Sequence, residues 1–137
     1  MDELFQAYPE IAERVDALCG GVSWGVTGAS ALIRDARGRC YFELAKPKHW
    51  ARREDGSWQV GLGAIGGSLE GEESILSCLH REVREEIGAA VEIDSAERTY
   101  LVYEQSLVEP LPLGARQYPR PALVTIGRNR YRQGELP

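Results

Sequence analysis

An α/β fold is expected for this chain, and three features predict it. Residues 9–18 carry a helical apolar stripe, and residues 30–44 carry two strand-like runs about a glycine turn. A glycine-rich stretch from Gly61 then opens onto a second amphipathic helix that stops at Gly88. Helical and two-residue periodicities alternating along one chain are the pattern of mixed α/β structure. The 137 residues fit one domain, 1–137, long enough to bury a core without disulfide or metal staples.

The first helix is marked by Pro9 in its opening turn, by Ile11, Val15 and Leu18 on one face, and by Gly20-Gly21 at its end. Residues 1–20 therefore read as an N-terminal helical extension. Gly21 to Ala29 is turn-rich and leads to the first core strand. Ser30–Arg34 and Cys40–Leu44 flank Asp35-Ala36-Arg37-Gly38, the pattern of a β-hairpin. Lys46–Gly56 reads as a charged loop with Lys46, Lys48, His49, Arg52 and Arg53, either a solvated segment or a phosphate-facing rim. Trp58–Val60 is a short strand. Leu76, Leu79, Val83 and Ile87 place one face of the second helix in the core. Ala90–Ile93, Arg98–Val108 and Ala122–Ile126 are strand candidates. Four prolines between Glu109 and Pro121 mark a loop.

Composition narrows the function. A formal net charge of -5 argues against general nucleic-acid or membrane-surface binding. No apolar run approaches the roughly 18 residues of a membrane span. The start, Met1-Asp2-Glu3, shows no basic segment or cleavage pattern of a secretory signal, so the cytoplasm is the default location. Cys19, Cys40 and Cys78 are odd in number and far apart, as expected of free, buried thiols in a reducing compartment.

Two glycine motifs fall short. Gly61-Leu62-Gly63-Ala64-Ile65-Gly66 matches a dinucleotide fingerprint, but Gly66-Gly67 and Gly71 delay the helix, and Glu70, Glu72 and Glu73 would repel a pyrophosphate. A P-loop needs lysine where Gly67 stands.

The second helix is more telling. Glu82, Glu85 and Glu86 lie near its C-terminal end, where the helix dipole is negative and each acid costs about 0.3–1 kcal/mol. Glu82 and Glu86 are also a like-charge i,i+4 pair. The three span about 100° of arc at the edge of the apolar face, given 3.6 residues per turn. A solvated face laced by pairs such as Arg81 with Glu85 is the plain explanation. Three acids at the unfavourable end directly after a glycine turn point instead to a divalent cation held by carboxylate oxygens.

These residues resemble the Nudix box, G-x5-E-x7-R-E-U-x-E-E-x-G-U with U aliphatic. Gly67, Glu73, Arg81-Glu82-Val83, Glu85-Glu86 and Gly88 fill its fixed positions, and the final U is the small Ala89. The resemblance covers roughly Gly21 to Arg132, with residues 66–89 as its diagnostic loop–helix. It implies an α/β/α sandwich around a mixed β-sheet. It also implies hydrolysis of the pyrophosphate bond in a nucleoside diphosphate linked to another moiety. Glu82, Glu85 and Glu86 would hold Mg2+ or Mn2+ with the Gly66 carbonyl. Arg81 would orient the carboxylates, and Glu73 and the glycines Gly67 and Gly88 would support the site. Glu82 is the first candidate for general base, and Glu104 or Glu109 on a later segment is the alternative.

Two departures stand out. The chain has Ala64-Ile65 where the family often has a proline before the double glycine, and little sequence follows Tyr131 to build the family's last strand and covering helix. The expectation is a C-terminal helix absent or truncated, an exposed sheet face and self-association as a homo-oligomer. The substrate-binding residues are unknown from sequence; Arg116, Tyr118 and Arg120 have the chemistry to stack on or pair with a nucleotide. Two rival readings are a catalytically silent ligand-binding or sensor module of the same fold and an enzyme acting on a non-nucleotide diphosphate. The intact acidic set favours catalysis over the silent module.

Overall fold

The computed structural model describes residues 1–104 and 106–127. In chain order the elements are α1 (Glu3–Ala7), α2 (Pro9–Cys19), β1 (Gly28–Ala31), β2 (Ile33–Arg34), β3 (Cys40–Tyr41) and β4 (Glu43–Leu44). A 3-10 turn (Pro47–His49) precedes β5 (Ala51–Arg52), β6 (Trp58–Gln59), β7 (Leu62–Gly63) and β8 (Ile65–Ser68). Then come α3 (Ile75–Ile87), β9 (Thr99–Tyr103), β10 (Leu107–Leu111) and β11 (Leu123–Ile126). The α/β class holds. The expected absence or truncation of a C-terminal helix concerns the chain beyond residue 127, outside the described residues.

The chain divides into two compact units: Gly25–Val91, and Met1–Trp24 with the described residues from Glu92 onward. In the latter, Asp2 caps α1 by accepting a hydrogen bond from the Leu4 amide at 2.9 Å. This single turn and a half has no periodicity of its own, so the sequence reading misses it. Pro9 opens α2, and Gly20 closes it in the left-handed region at φ 60°. Ile11 and Val15 are buried as their spacing requires, alongside Leu4, Phe5 and Tyr8. The Tyr8 hydroxyl donates to the Tyr118 carbonyl, and Arg14 pairs with Glu109. The sheet of this unit is mixed, with β9 central, β10 antiparallel and β11 parallel to it. Leu101 of β9 is fully buried. Pro110 is tolerated inside β10 because that strand pairs on one side only.

The Gly25–Val91 unit is built from short antiparallel pairs: β1–β8, β2–β3, β4–β7 and β5–β6. The expected hairpin exists, but only Ile33↔Tyr41 and Arg34↔Cys40 pair across it. Each arm changes partner midway, so β1 pairs with β8 and β4 with β7. Asp35 closes the turn by accepting from the Arg37 and Arg39 amides at 2.9 and 3.0 Å. Helix α3 packs on β1 and β8, burying Cys78 and Val83 near Ile65.

Several expectations are corrected. Residues 46–56 are no plain loop, because they hold the 3-10 turn and β5, and Arg53 and Ser57 close a turn onto β6. Ala90–Ile93 forms no strand. Arg98–Val108 is two strands of a hairpin, broken beside Glu104, a non-glycine residue at φ 49°. The following loop begins only after Leu111, since Glu109 belongs to β10. Ile87, the last residue of α3, is 39% exposed although it continues the apolar stripe. Of the three free thiols only Cys78 is buried; Cys40 is exposed.

Candidate metal and catalytic site

The site grows from a turn, a cap and a close approach of backbones. Gly71 adopts φ 54°, turning the chain out of β8, and Ser74 caps α3 by accepting from the Ser77 amide at 3.1 Å. Gly88, at φ 67°, ends the helix with its amide on the Arg84 carbonyl at 2.9 Å. Between these ends α3 lays residues 81–86 beside the β8 glycines.

Gly66 and Gly67 are needed for different reasons. A Cβ on Gly66 would lie 2.1 Å from the Ala29 carbonyl oxygen and 2.5 Å from the Ser30 Cα, so glycine allows β1 and β8 to pair. A Cβ on Gly67 would lie 2.3 Å from Glu82 Oε1 and 2.5 Å from its Cδ. The notch left by the missing methyl is therefore filled by the Glu82 carboxylate. Gly67→Ala should move that carboxylate and little else, because a flexible side chain yields where backbone cannot. Turnover should fall roughly 10–100-fold, as for lost support of a metal ligand, with a thermal midpoint within a few degrees of the parent. Comparing kcat with a melting curve checks this.

Arg81 is the hub. Its Nε lies 2.7 Å from Glu73 Oε2, and its Nη2 lies 2.9 Å from Glu73 Oε1, a bidentate pair. Its Nη1 reaches Glu82 Oε1 at 3.0 Å and Glu85 Oε2 at 3.2 Å, and Nη2 donates to the Ser68 carbonyl at 3.0 Å. Glu70 stands at 3.5 Å. Glu73 also accepts from the Glu70 amide at 3.2 Å, tying the turn to the helix. Hydrogen bonding to Arg81 holds the Glu73 carboxyl down at about 2, and Glu73 foremost raises the Arg81 guanidinium above the ordinary arginine range.

That pair carries a pH signature. Glu73 titrates lower in the folded chain than in the unfolded one, so its contribution is fully present above the ordinary glutamate pKa near 4.5. It is lost as pH falls from there toward about 2. The thermal midpoint of the parent should fall more steeply over that window than that of Glu73→Gln; melting curves from pH 5 to pH 2 measure the difference.

The predicted carboxylates are not equally engaged. Glu82 is 13% exposed and Glu85 58%, and the Glu86 side chain makes no hydrogen bond or ion pair among the described residues. No group of three histidine, cysteine, aspartate or glutamate side chains is already gathered for a metal among the described residues. Arg81 supplies the positive charge between Glu82 and Glu85. The donor chemistry nevertheless fits a hard divalent cation: three carboxylates at i, i+3 and i+4 on one helix edge, one of them seated in the Gly67 notch. The Gly66 backbone lies in the β1–β8 ladder opposite Ser30.

Other candidates are already engaged. Glu109 is held by Arg14, which lowers its pKa through a side-chain hydrogen bond. Arg116 forks onto Glu10 at 2.9 and 2.7 Å and lies 4.8 Å from the Tyr8 ring centre. Arg120 binds the carbonyls of Ala96 and Leu113. Cys78 is the buried free thiol the sequence leads one to expect, and the fold sets its Sγ 3.6 Å from the Gly67 and Ser68 carbonyl oxygens, a contact the sequence does not show; burial pushes its thiol pKa up.

Compared with known families, residues 24–117, more than half of the chain, match the NUDIX domain. Neither the curated proteins nor the solved structures gave a match.

Proposed function

The chain belongs to the NUDIX domain family, and on that premise we propose that it hydrolyses the pyrophosphate bond of a nucleoside diphosphate linked to another moiety, with Mg2+ or Mn2+, in the cytoplasm. The family places it among hydrolases of pyrophosphate bonds, which generally use divalent metal ions. No described helix is long and apolar enough to cross a membrane. The observation that carries the finer reading is the Glu82 carboxylate, seated in the Gly67 notch and held by Arg81.

In this reading Glu82, Glu85 and Glu86, with the Gly66 carbonyl, hold the cation. Bound there, a divalent ion neutralises the diphosphate and acidifies the attacking water. The chain's own residues do the rest. Arg81 sets the carboxylates, and Glu73 sets Arg81 through the bidentate pair. Glu82 accepts the proton of the water as its oxygen bonds to phosphorus, and the bridging P–O bond breaks to release a phosphate-bearing product. Glu109, an alternative base, is paired with Arg14 as Glu82 is with Arg81; Glu82 is preferred because it belongs to the carboxylate set of α3.

The test is a panel of nucleoside diphosphate derivatives incubated with Mg2+ or Mn2+ and scored for released nucleotide or phosphate. At least one compound should turn over, and chelation should stop it. Measurable binding without turnover of any compound would replace the enzyme reading with that of a ligand sensor.

A further inference from the structure

The segment between β4 and β7 has chemistry that the carboxylate site does not use. Lys46, Lys48, Arg52 and Arg53 are exposed, and none makes an ion pair or side-chain hydrogen bond among the described residues. Four cations thus stand within eight positions of a chain whose net charge is -5. Of the two acids that follow, Glu54 and Asp55, the exposed Asp55 accepts from the Ser57 amide and hydroxyl at 2.9 and 2.6 Å.

The segment has a definite form. Strands β5 and β6 pair through Arg52↔Trp58, and the Arg52 Cζ lies 5.3 Å from the Trp58 ring centre. Trp50 packs edge-on to Trp58 at 6.4 Å and anchors itself by donating its indole N–H to the Ala45 carbonyl at 2.6 Å. A guanidinium lying over an indole is held by its face, and its rim of N–H donors stays free for a phosphate. At the foot of this arm lies a groove of about 270 Å³, lined by Leu44, Ala45, Gly61 and Leu62 with Lys46 and one acid, Glu43. One wall, β7, leads directly into β8. Gly63 and Gly67 are four residues apart, at most roughly 14 Å of extended chain. A single phosphorylated molecule can therefore reach from the groove to the Gly67 notch.

We propose that this arm is a second phosphate-binding element, independent of metal, which selects substrates carrying a phosphate group beyond the pyrophosphate that is cleaved. It rests on the hydrolase reading for the identity of its ligand as a substrate. The acidic net charge and the shortness of the arm favour a small polyanion over a nucleic acid.

Isothermal titration of the full chain with inorganic tripolyphosphate in the presence of a chelator tests the arm, since neither metal nor turnover enters. Saturable binding is expected, weakened roughly tenfold or more in Lys48→Ala/Arg52→Ala/Arg53→Ala, as for loss of charge-assisted hydrogen bonds. The charge-preserving Arg52→Lys/Arg53→Lys should bind more tightly than the triple alanine variant but more weakly than the parent, because lysine keeps the charge and loses the stacked planar donor rim. Equal binding by parent and triple variant, or no binding by the parent, overturns the proposal. So does tighter binding of a single-stranded RNA oligonucleotide than of tripolyphosphate. Arm-dependent binding with no turnover of any pyrophosphate compound leaves the anion site standing and overturns the hydrolase reading.

Discussion

Replacing Glu82 by glutamine should cut metal-dependent turnover by roughly 10²–10⁴-fold, the range for a lost catalytic proton acceptor, and replacing Glu85 or Glu86 should cut it by at least the roughly 10–100-fold of a weakened metal site, while the fold survives in each. The change is nearly isosteric, so the packing of α3 on β1 and β8 is untouched. Glu82→Gln removes both the negative oxygen in the Gly67 notch and one partner of Arg81, which keeps its bidentate hold on Glu73. Glu86→Gln is the most diagnostic of the three. Glu86 makes no ion pair among the described residues and sits in the last turn of α3, where a negative charge opposes the helix dipole. Removing that charge should raise stability by about 0.3–1 kcal/mol. A variant that melts later but turns over far more slowly shows that the acid is kept for chemistry. Full activity in any of the three would remove that residue from the site.

Gly66→Ala should have the largest effect on stability. Its Cβ would meet the Ala29 carbonyl oxygen and the Ser30 Cα, which are backbone atoms of the paired strand and cannot swing away. The β1–β8 ladder, on which α3 packs, must then part. A loss of roughly 3 kcal/mol or more is expected, at the upper end for overpacked sites, read as a lowered midpoint in urea. An unchanged midpoint would mean that β1 and β8 are not so closely paired. The contrast with Gly67→Ala is the sharper test, because adjacent glycines should fail in different ways, one in folding and one in catalysis.

The legible parts of the sequence are those where local chemistry fixes the answer. Pro9, the Ile11 and Val15 spacing and Gly20 define α2 without reference to the rest of the chain. The spacing from Gly67 to Gly88 defines α3 and the order of its acids. What could not be read depends on partners. Ser30–Arg34 reads as one strand because a two-residue pattern does not say that β1 turns to β8 while β2 turns to β3. The β9–β10 break sits beside Glu104, which carries no turn signal of the glycine or proline kind. Ile87 continues the apolar stripe of α3, but burial depends on what the fold packs against it. At the site, the Arg81–Glu85 contact follows from i,i+4 spacing. The stronger bidentate pair with Glu73 spans the cap and about two helical turns, and only the folded loop brings it together.

The central claim is that the α3 carboxylates bind a divalent cation. It is tested most directly by titrating Mn2+ into the parent chain and into Glu82→Gln/Glu85→Gln/Glu86→Gln, following bound ion by the loss of free-Mn2+ resonance signal. At least one site per chain is predicted in the parent and none of comparable affinity in the triple variant. Equal binding by the two proteins would contradict the account.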